Sequence, residues 1–460
     1  MSLPRIWGQA SRPSASIQLG PLVPAKAGTQ SDFLDSRWSL HSGCAKRRPG
    51  CGNKRRIGQR ATAIAAAATF ILVATLFAVT GSFAQTEARS FRGYLESLWP
   101  QAQKRGISRA TFDRALGDVQ YDTEVAALSR RQPEYGRAVG DYLGSMVSQA
   151  RLNGGIRRIG ELKDLIDSIE HRFGVPGEVL VAIWGIETGF GANTGGKGVI
   201  RSLATLAFTG YKGDFARNEL LTALLVLQQG HIPPERMIGS WAGAMGQPQF
   251  IPSSFMRWAV DFTGDGKRDL WTSVPDVLAS IANYLRQRGW QPGLPWGYEV
   301  TLPPNFDMRR SRASFRDWAS LGMRRTDGGK LPDNALGTHE AILFFPSGAR
   351  GPAFLVTENF NVIKTYNISD VYALAVLHLA DRFRGSPAFS GRWPQDDRQL
   401  TREDRMRIQH ALAKLGYKVN DLQGMMDFDL RDNIRDMQIK FGMVPDGHPG
   451  VEFMQRLVGR

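Results

Sequence analysis

Glu187 closes the run Val179-Leu180-Val181-Ala182-Ile183-Trp184-Gly185-Ile186 and stands just before Gly189 and Gly191. The run follows Gly174-Val175-Pro176, where proline can open a helix, and its apolar residues leave hardly any side of that helix polar, so the helix is expected to be buried. A carboxylate at the carbonyl end of a buried helix is disfavoured twice, by desolvation and by the negative end of the helix dipole. The predicted result is a raised pKa, which suits a general acid working near neutral pH. A paired, structural glutamate at a helix end would carry the same local sequence, so the residue needs company before it carries a function.

A second stretch supplies it. Gly239-Ser240-Trp241-Ala242-Gly243-Ala244-Met245-Gly246-Gln247-Pro248-Gln249-Phe250-Ile251-Pro252-Ser253-Ser254-Phe255 interleaves small residues, which let backbone approach a ligand, with aromatic and amide groups that could grip a sugar. A glycine loop packed tightly for structural reasons would look similar. Taken together, the two stretches resemble the soluble, lysozyme-like domain of bacterial lytic murein transglycosylases of the membrane-bound lytic transglycosylase B family (glycoside hydrolase family 103 type). The match runs through several long stretches in the same order.

The resemblance implies a mainly α fold: a lysozyme-like catalytic domain of the goose-type kind with a small β-containing subdomain. It also implies cleavage of the β-1,4 bond between N-acetylmuramic acid and N-acetylglucosamine without water, leaving 1,6-anhydro ends, with Glu187 acting first as acid and then as base. In the same terms Ser240 would hydrogen-bond Glu187, Gln249 would hold sugar or its acetamido group, and Met245 and Phe250 would line the floor, with core packing as the other reading of these two. Tyr142, Tyr284, Tyr366, Asn367 and Tyr372 match positions along the cleft walls, with core packing as the other reading of Tyr372. The rival functions are a muramidase-type hydrolase on the same fold and a non-catalytic wall-binding protein.

Composition narrows the partners. The 460 residues carry a formal charge of +15. Eleven Lys or Arg against Asp32 and Asp35 in the first 60 residues place +9 there and leave +6 for the rest. With the basicity concentrated in a leader and no basic stripe or RNA-binding signature, a nucleic-acid partner is not expected; a mildly cationic body suits an anionic polymer such as peptidoglycan glycan strands. The histidines show no metal-ligand spacing, so a zinc site is not expected, and the resemblance implies no organic cofactor. Both cysteines, Cys44 and Cys51, fall in the leader, so the mature chain is expected to have no disulfide. The chain is expected to be a monomer.

Residues 1–53 have little periodicity and are expected to be a disordered leader or the product of a misplaced start. Residues 54–84 read as a signal peptide. Lys54-Arg55-Arg56 opens it, Ala61 to Ala84 carry no charge, and Ser82-Phe83-Ala84 resembles a cleavage site, so export to the periplasm is expected. An uncleaved anchor is the alternative and the one route to a membrane; no cysteine after the apolar run supports a lipid anchor. The catalytic domain is expected over 90–384, with helices dominant before Arg172 and short β-rich runs at Tyr298 to Leu302, Ala341 to Phe345 and Ala353 to Thr357. Family members often carry paired arginines before the helix at Asn218, but here Tyr211-Lys212-Gly213-Asp214-Phe215-Ala216-Arg217 occupies that place, so a stem-peptide preference is not implied.

Asp261-Phe262-Thr263-Gly264-Asp265-Gly266-Lys267 resembles the first part of an EF-hand loop, with oxygen donors at the first, third and fifth positions and glycine at the sixth. Thr272 stands where the twelfth-position glutamate belongs, and Asp276 is the substitute that the family's variant loop suggests. A structural calcium held by Asp261, Thr263, Asp265, Lys267 and Asp276 is one expectation; an Asp-Gly turn that binds nothing is the other. Residues 385–397 read as a linker. Beyond it, at 398–460, two amphipathic helices, each with a Gln beside the apolar face and a closing Gly, resemble the small three-helix peptidoglycan-binding domain appended to wall hydrolases.

Overall fold

The computed structural model describes residues 89–130 and 136–459. The expected leader and signal peptide, with Cys44 and Cys51, lie outside the described residues. Among the described residues no helix is long and apolar enough to cross a membrane.

The chain begins with helices α1 (89–97), α2 (Trp99–Lys104), α3 (Arg109–Leu116), α4 (Thr123–Arg130), α5 (Val139–Met146), α6 (Gln149–Glu161) and α7 (Lys163–Phe173). Then come α8 (Gly177–Thr188), β1 (Lys197–Gly198), α9 (Val199–Phe208), α10 (Asp214–Gln228), β2 (Ile238–Gly239), α11 (Pro252–Trp258) and α12 (Val274–Gln287). A β-rich part follows, with β3 (Gly297–Thr301), β4 (Arg312–Ser314), α13 (Phe315–Ser320), β5 (Arg324–Arg325), β6 (Glu340–Phe344) and β7 (Ala353–Val356). Helices α14 (Glu358–Tyr366) and α15 (Asp370–Phe383) close the large domain, and α16 (Arg402–Lys414), α17 (Phe428–Lys440) and α18 (Val451–Val458) build the C-terminal module.

α8 is the axis of the large domain. Every residue from Val179 to Ile186 is buried, because a helix apolar all round has no face to offer water and must be enclosed. Helices α6, α7, α12 and α15 enclose it. It ends at Gly189, whose φ of 59° is the left-handed step that lets the chain turn away after the last helical bond, Gly189 N–H to Gly185 O at 3.1 Å. Arg151 of α6 donates to the same Gly185 carbonyl at 3.0 Å, a cation at the negative end of the helix.

The sheet is antiparallel, in the order β4-β6-β7-β3-β5. Alternation decides its two faces: Ala341, Leu343, Ala353 and Leu355 join Phe315 and Trp318 in a small core of their own, whereas Ile342, Phe344, Phe354 and Val356 face the main core. With both faces covered, β6 and β7 read as continuous apolar runs. β4 and β5 escape sequence reading because they are short and polar and owe their extension to the strands beside them.

In the module, Gln409 and Gln438 perform the same task twice. Gln409 donates to Met425 O (2.7 Å) and accepts from Gly424 N–H (2.7 Å), while Gln438 donates to Asp446 (2.7 Å) and accepts from Gly447 N–H (2.8 Å). A buried amide that satisfies the turn after each helix explains why both halves carry Gln beside the apolar face. The segment 385–397 has no helix or strand, yet it is pinned to the large domain: Phe389 stacks on His378 at 3.7 Å and Trp393 lies nearly parallel to Phe354 at 6.2 Å.

Candidate active site

Glu187 sits in the last turn of α8 between buried Ile186 and Thr188, and its own side chain is partly open to solvent. Dense protein on the remaining sides raises its carboxyl pKa from 4.5 to about 7, and the Tyr372 hydroxyl, donating to Oε1 at 2.5 Å, pulls it back part of the way. Among the described residues no neighbouring acid acts on Glu187; burial and that one hydroxyl account for its shift. Tyr372 is held in the first turn of α15, where its own N–H is capped by Ser369 Oγ at 3.3 Å. The partly exposed Tyr142 of α5 is close enough to feel the Glu187 charge, which adds to burial in raising its hydroxyl pKa.

The second stretch wraps this helix end. β1 and β2 pair Lys197 with Gly239, and Met245 exchanges backbone hydrogen bonds with Phe250 at 2.7 and 3.1 Å. Gly239 has no room for a side chain, since a Cβ there would lie 1.9 Å from Ala244 O. Gln247 bolts the loop to the helix. Its Oε1 accepts from Trp184 Nε1 at 2.8 Å, its Nε2 donates to Trp271 O at 2.9 Å, and its backbone carbonyl accepts from Thr188 Oγ1 at 2.8 Å. Sequence reasoning passed over Gln247 in favour of Gln249. The signal that could have found it is the buried Trp184, whose indole N–H must have an acceptor. Gln247→Leu leaves that donor unpaired and is expected to cost ~1–3 kcal/mol, read as a lower midpoint in urea unfolding.

Several of the expected site residues make contacts within the protein. Ser240 Oγ accepts from Ala244 N–H at 3.1 Å, and among the described residues the side-chain hydrogen bond to Glu187 comes from Tyr372. Gln249 is buried with φ at 53°, its amide donating to Thr194 O (3.1 Å) and Gly246 O (3.0 Å), so it closes the loop from inside. Met245 and Phe250 are fully packed in the core beneath the loop. Tyr284 donates to Thr365 O and Tyr366 donates to Pro248 O, and the two rings meet edge to face at 4.9 Å, which makes them a buried pillar rather than an open wall. Asn367 is partly exposed and accepts from Ser369 N–H at 3.3 Å. Of the expected residues, Tyr372 is hydrogen-bonded to Glu187, and Tyr142 and Tyr366 are near enough for its charge to raise their hydroxyl pKa values.

The Asp261 loop satisfies itself. Asp261 accepts from Gly264, Asp265 and Gly266 N–H groups at 2.7, 3.2 and 2.8 Å, and Asp265 accepts from Lys267 N–H at 2.8 Å. Buried Asp276 spends both oxygens on Phe262, Thr263 and Asp269 N–H groups. Among the described residues no group of three or more His, Cys, Asp or Glu is placed to hold a metal.

A mainly helical domain built around one half-open, near-neutral glutamate has counterparts among known proteins. Residues 90–381 match the transglycosylase SLT domain family and residues 401–457 match the peptidoglycan binding domain family. The first match takes in more than half of the chain, so this protein belongs to the transglycosylase SLT domain family. It is similar to the membrane-bound lytic murein transglycosylase B of Escherichia coli K12, at 32% identity over 246 residues. That alignment takes in 52% of this chain and 65% of the relative, a little under two thirds of its length. Among solved structures it is similar to SltB3 from Pseudomonas aeruginosa in complex with NAG-anhNAM-pentapeptide: TM-score 0.72, 43% identity, 80% of this chain and 99% of that one. It is also similar to Slt35 from Escherichia coli in complex with calcium: TM-score 0.53, 27% identity, 65% of this chain and 93% of that one.

Proposed function

We propose that this protein is a lytic murein transglycosylase that cleaves the glycan strands of peptidoglycan between N-acetylmuramic acid and N-acetylglucosamine and leaves 1,6-anhydro ends. The observation that carries the reading is Glu187 itself: a carboxyl with a pKa of about 7, solvent-reachable on one side, oriented by one hydroxyl and acted on by no second acid among the described residues. Hydrolases of this kind ordinarily need a partner carboxylate to activate water or attack the sugar. Here one group serves twice. Protonated Glu187 gives its proton to the bridging oxygen as the bond from that oxygen to the sugar's C1 breaks. The resulting carboxylate, accepting from Tyr372, takes the proton of the same sugar's 6-hydroxyl as its oxygen bonds to C1, so the enzyme ends protonated and no water is consumed.

Digestion of isolated sacculi followed by mass spectrometry tests this, since the anhydro product is lighter than a hydrolytic one by one water. Reducing ends would assign a muramidase instead, and binding without release a wall-binding protein. We further propose that the chain acts in the periplasm, exported by the segment at 54–84, with the C-terminal module holding the wall.

We further propose that calcium binds at residues 261–276, where Asp261, Asp265 and Asp276 offer carboxylate oxygens that also accept backbone N–H groups. Equal melting temperatures in calcium and in chelator would overturn it. Saturating calcium is expected to stabilise the protein by ~3 kcal/mol, as a ligand at a hundred times its dissociation constant would.

A further inference from the structure

We propose that Arg431, a residue of the C-terminal module, is a positioning residue for the active site: by gripping Asp370 it fixes the first turn of α15, and with it the Tyr372 hydroxyl that orients Glu187. This rests on the reading of Glu187 given above.

The link is short and dry. Asp370 is the first residue of α15, two before Tyr372, and its carboxylate lies between Arg431 Nη2 at 2.6 Å and Lys364 Nζ at 2.7 Å. The three side chains are 13%, 5% and 4% exposed, so little water can substitute for a lost partner. Lys364 lies two residues before Tyr366 in α14 and also donates to Met426 O of the module at 2.9 Å, while Arg431 donates to Gly447 O at 3.1 Å. Phe428 of α17 packs on Phe344 and Phe360 beside this cluster. Burial alone would raise the Asp370 pKa, but Lys364 and Arg431 outweigh it and hold the group down at about 2. The turn between α14 and α15 is thereby clamped from the module on both sides of Asn367.

Docking does not depend on this grip. Arg312 reaches Asp429 at 2.6 Å and Asp432 at 3.2 Å, and Arg435 donates to Leu343 O at 2.8 Å. Removing the Arg431 guanidinium therefore leaves the module in place and Asp370 with one cation, free to let the first turn of α15 shift.

The test uses the full chain and a soluble glycan fragment of peptidoglycan. Arg431→Met is expected to lower kcat ~10-fold with KM little changed, as for a small misplacement of a reacting group. It should also move the Glu187 titration, followed by carbon-13 labelling of glutamate carboxyls, to higher pH. Arg431→Lys should restore most of both, and Arg312→Ala should change neither. An Arg431→Met protein with wild-type kcat and an unmoved titration overturns the proposal, as does an equal loss in Arg312→Ala, which would mark the effect as general docking. If Arg431→Met fails to fold, Asp370→Asn probes the same link and should reproduce the loss and the shift. The titration is independent of turnover: a shift in a protein that releases no anhydro product upholds the positioning role and defeats the transglycosylase reading instead.

Discussion

Glu187→Gln is expected to reduce release of anhydro-ended fragments from sacculi by roughly 100- to 10,000-fold, the range that a positioned acid contributes, while sacculus binding through α16–α18 persists. The amide keeps the shape of the carboxyl and can still accept from Tyr372, but it has no proton to give and cannot take one back. The same variant should change stability in a pH-dependent way. Wild-type Glu187 has a pKa raised from 4.5 to about 7, so the folded state holds its proton more tightly than the unfolded chain. Its stabilising protonated form is fully present below about pH 4.5 and is lost as pH rises through about 7. Above that, the buried anion costs the wild type on the order of 3 kcal/mol that glutamine does not incur. Urea unfolding should therefore find Glu187→Gln the more stable protein in mild alkali, with the gap closing toward acid. Full activity in the variant would remove Glu187 from the reaction, and a gap independent of pH would remove the buried, near-neutral carboxyl.

Tyr372→Phe carries the second large effect. The hydroxyl donates to Glu187 Oε1 at 2.5 Å, and a hydrogen bond to a charged group contributes ~1.5–3 kcal/mol, so its loss at the stage where Glu187 is an anion should lower kcat by ~10- to 100-fold. The pH profile separates this from a simple packing defect. Because the Tyr372 bond lowers the Glu187 pKa, removing it raises that pKa further, and the limb on which kcat falls with rising pH should move to higher pH. A variant that is slow but keeps the wild-type limb would mean that the hydroxyl holds the helix rather than the acid.

The elements most legible in the sequence are those whose fate is decided locally. α8 was readable because apolar residues on every side of a helix admit burial alone, and a glutamate beside a glycine break at its end inherits that burial. β6 and β7 were readable for the same reason, as short continuous apolar runs bounded by turn residues. The hydrogen-bond partners of Gln249 and Ser240 were not legible, since loop residues flanked by glycines turn their polar groups to whichever backbone atoms lie nearest, and those are known only once the loop is closed.

What sequence alone determined, then, is the buried helix, the acid at its end and the amphipathic helices beyond residue 397, because desolvation and periodicity act over a few residues; that those helices form a wall-binding module was what their resemblance implied. Which hydroxyl reaches Glu187 was left to the tertiary structure: Tyr372 lies 185 residues away. So was the docking of the module through Arg431 onto Asp370, 61 residues apart. A hydrogen bond or buried ion pair between distant segments is set by how whole helices pack, and no local pattern records which partner that packing will bring within 3 Å.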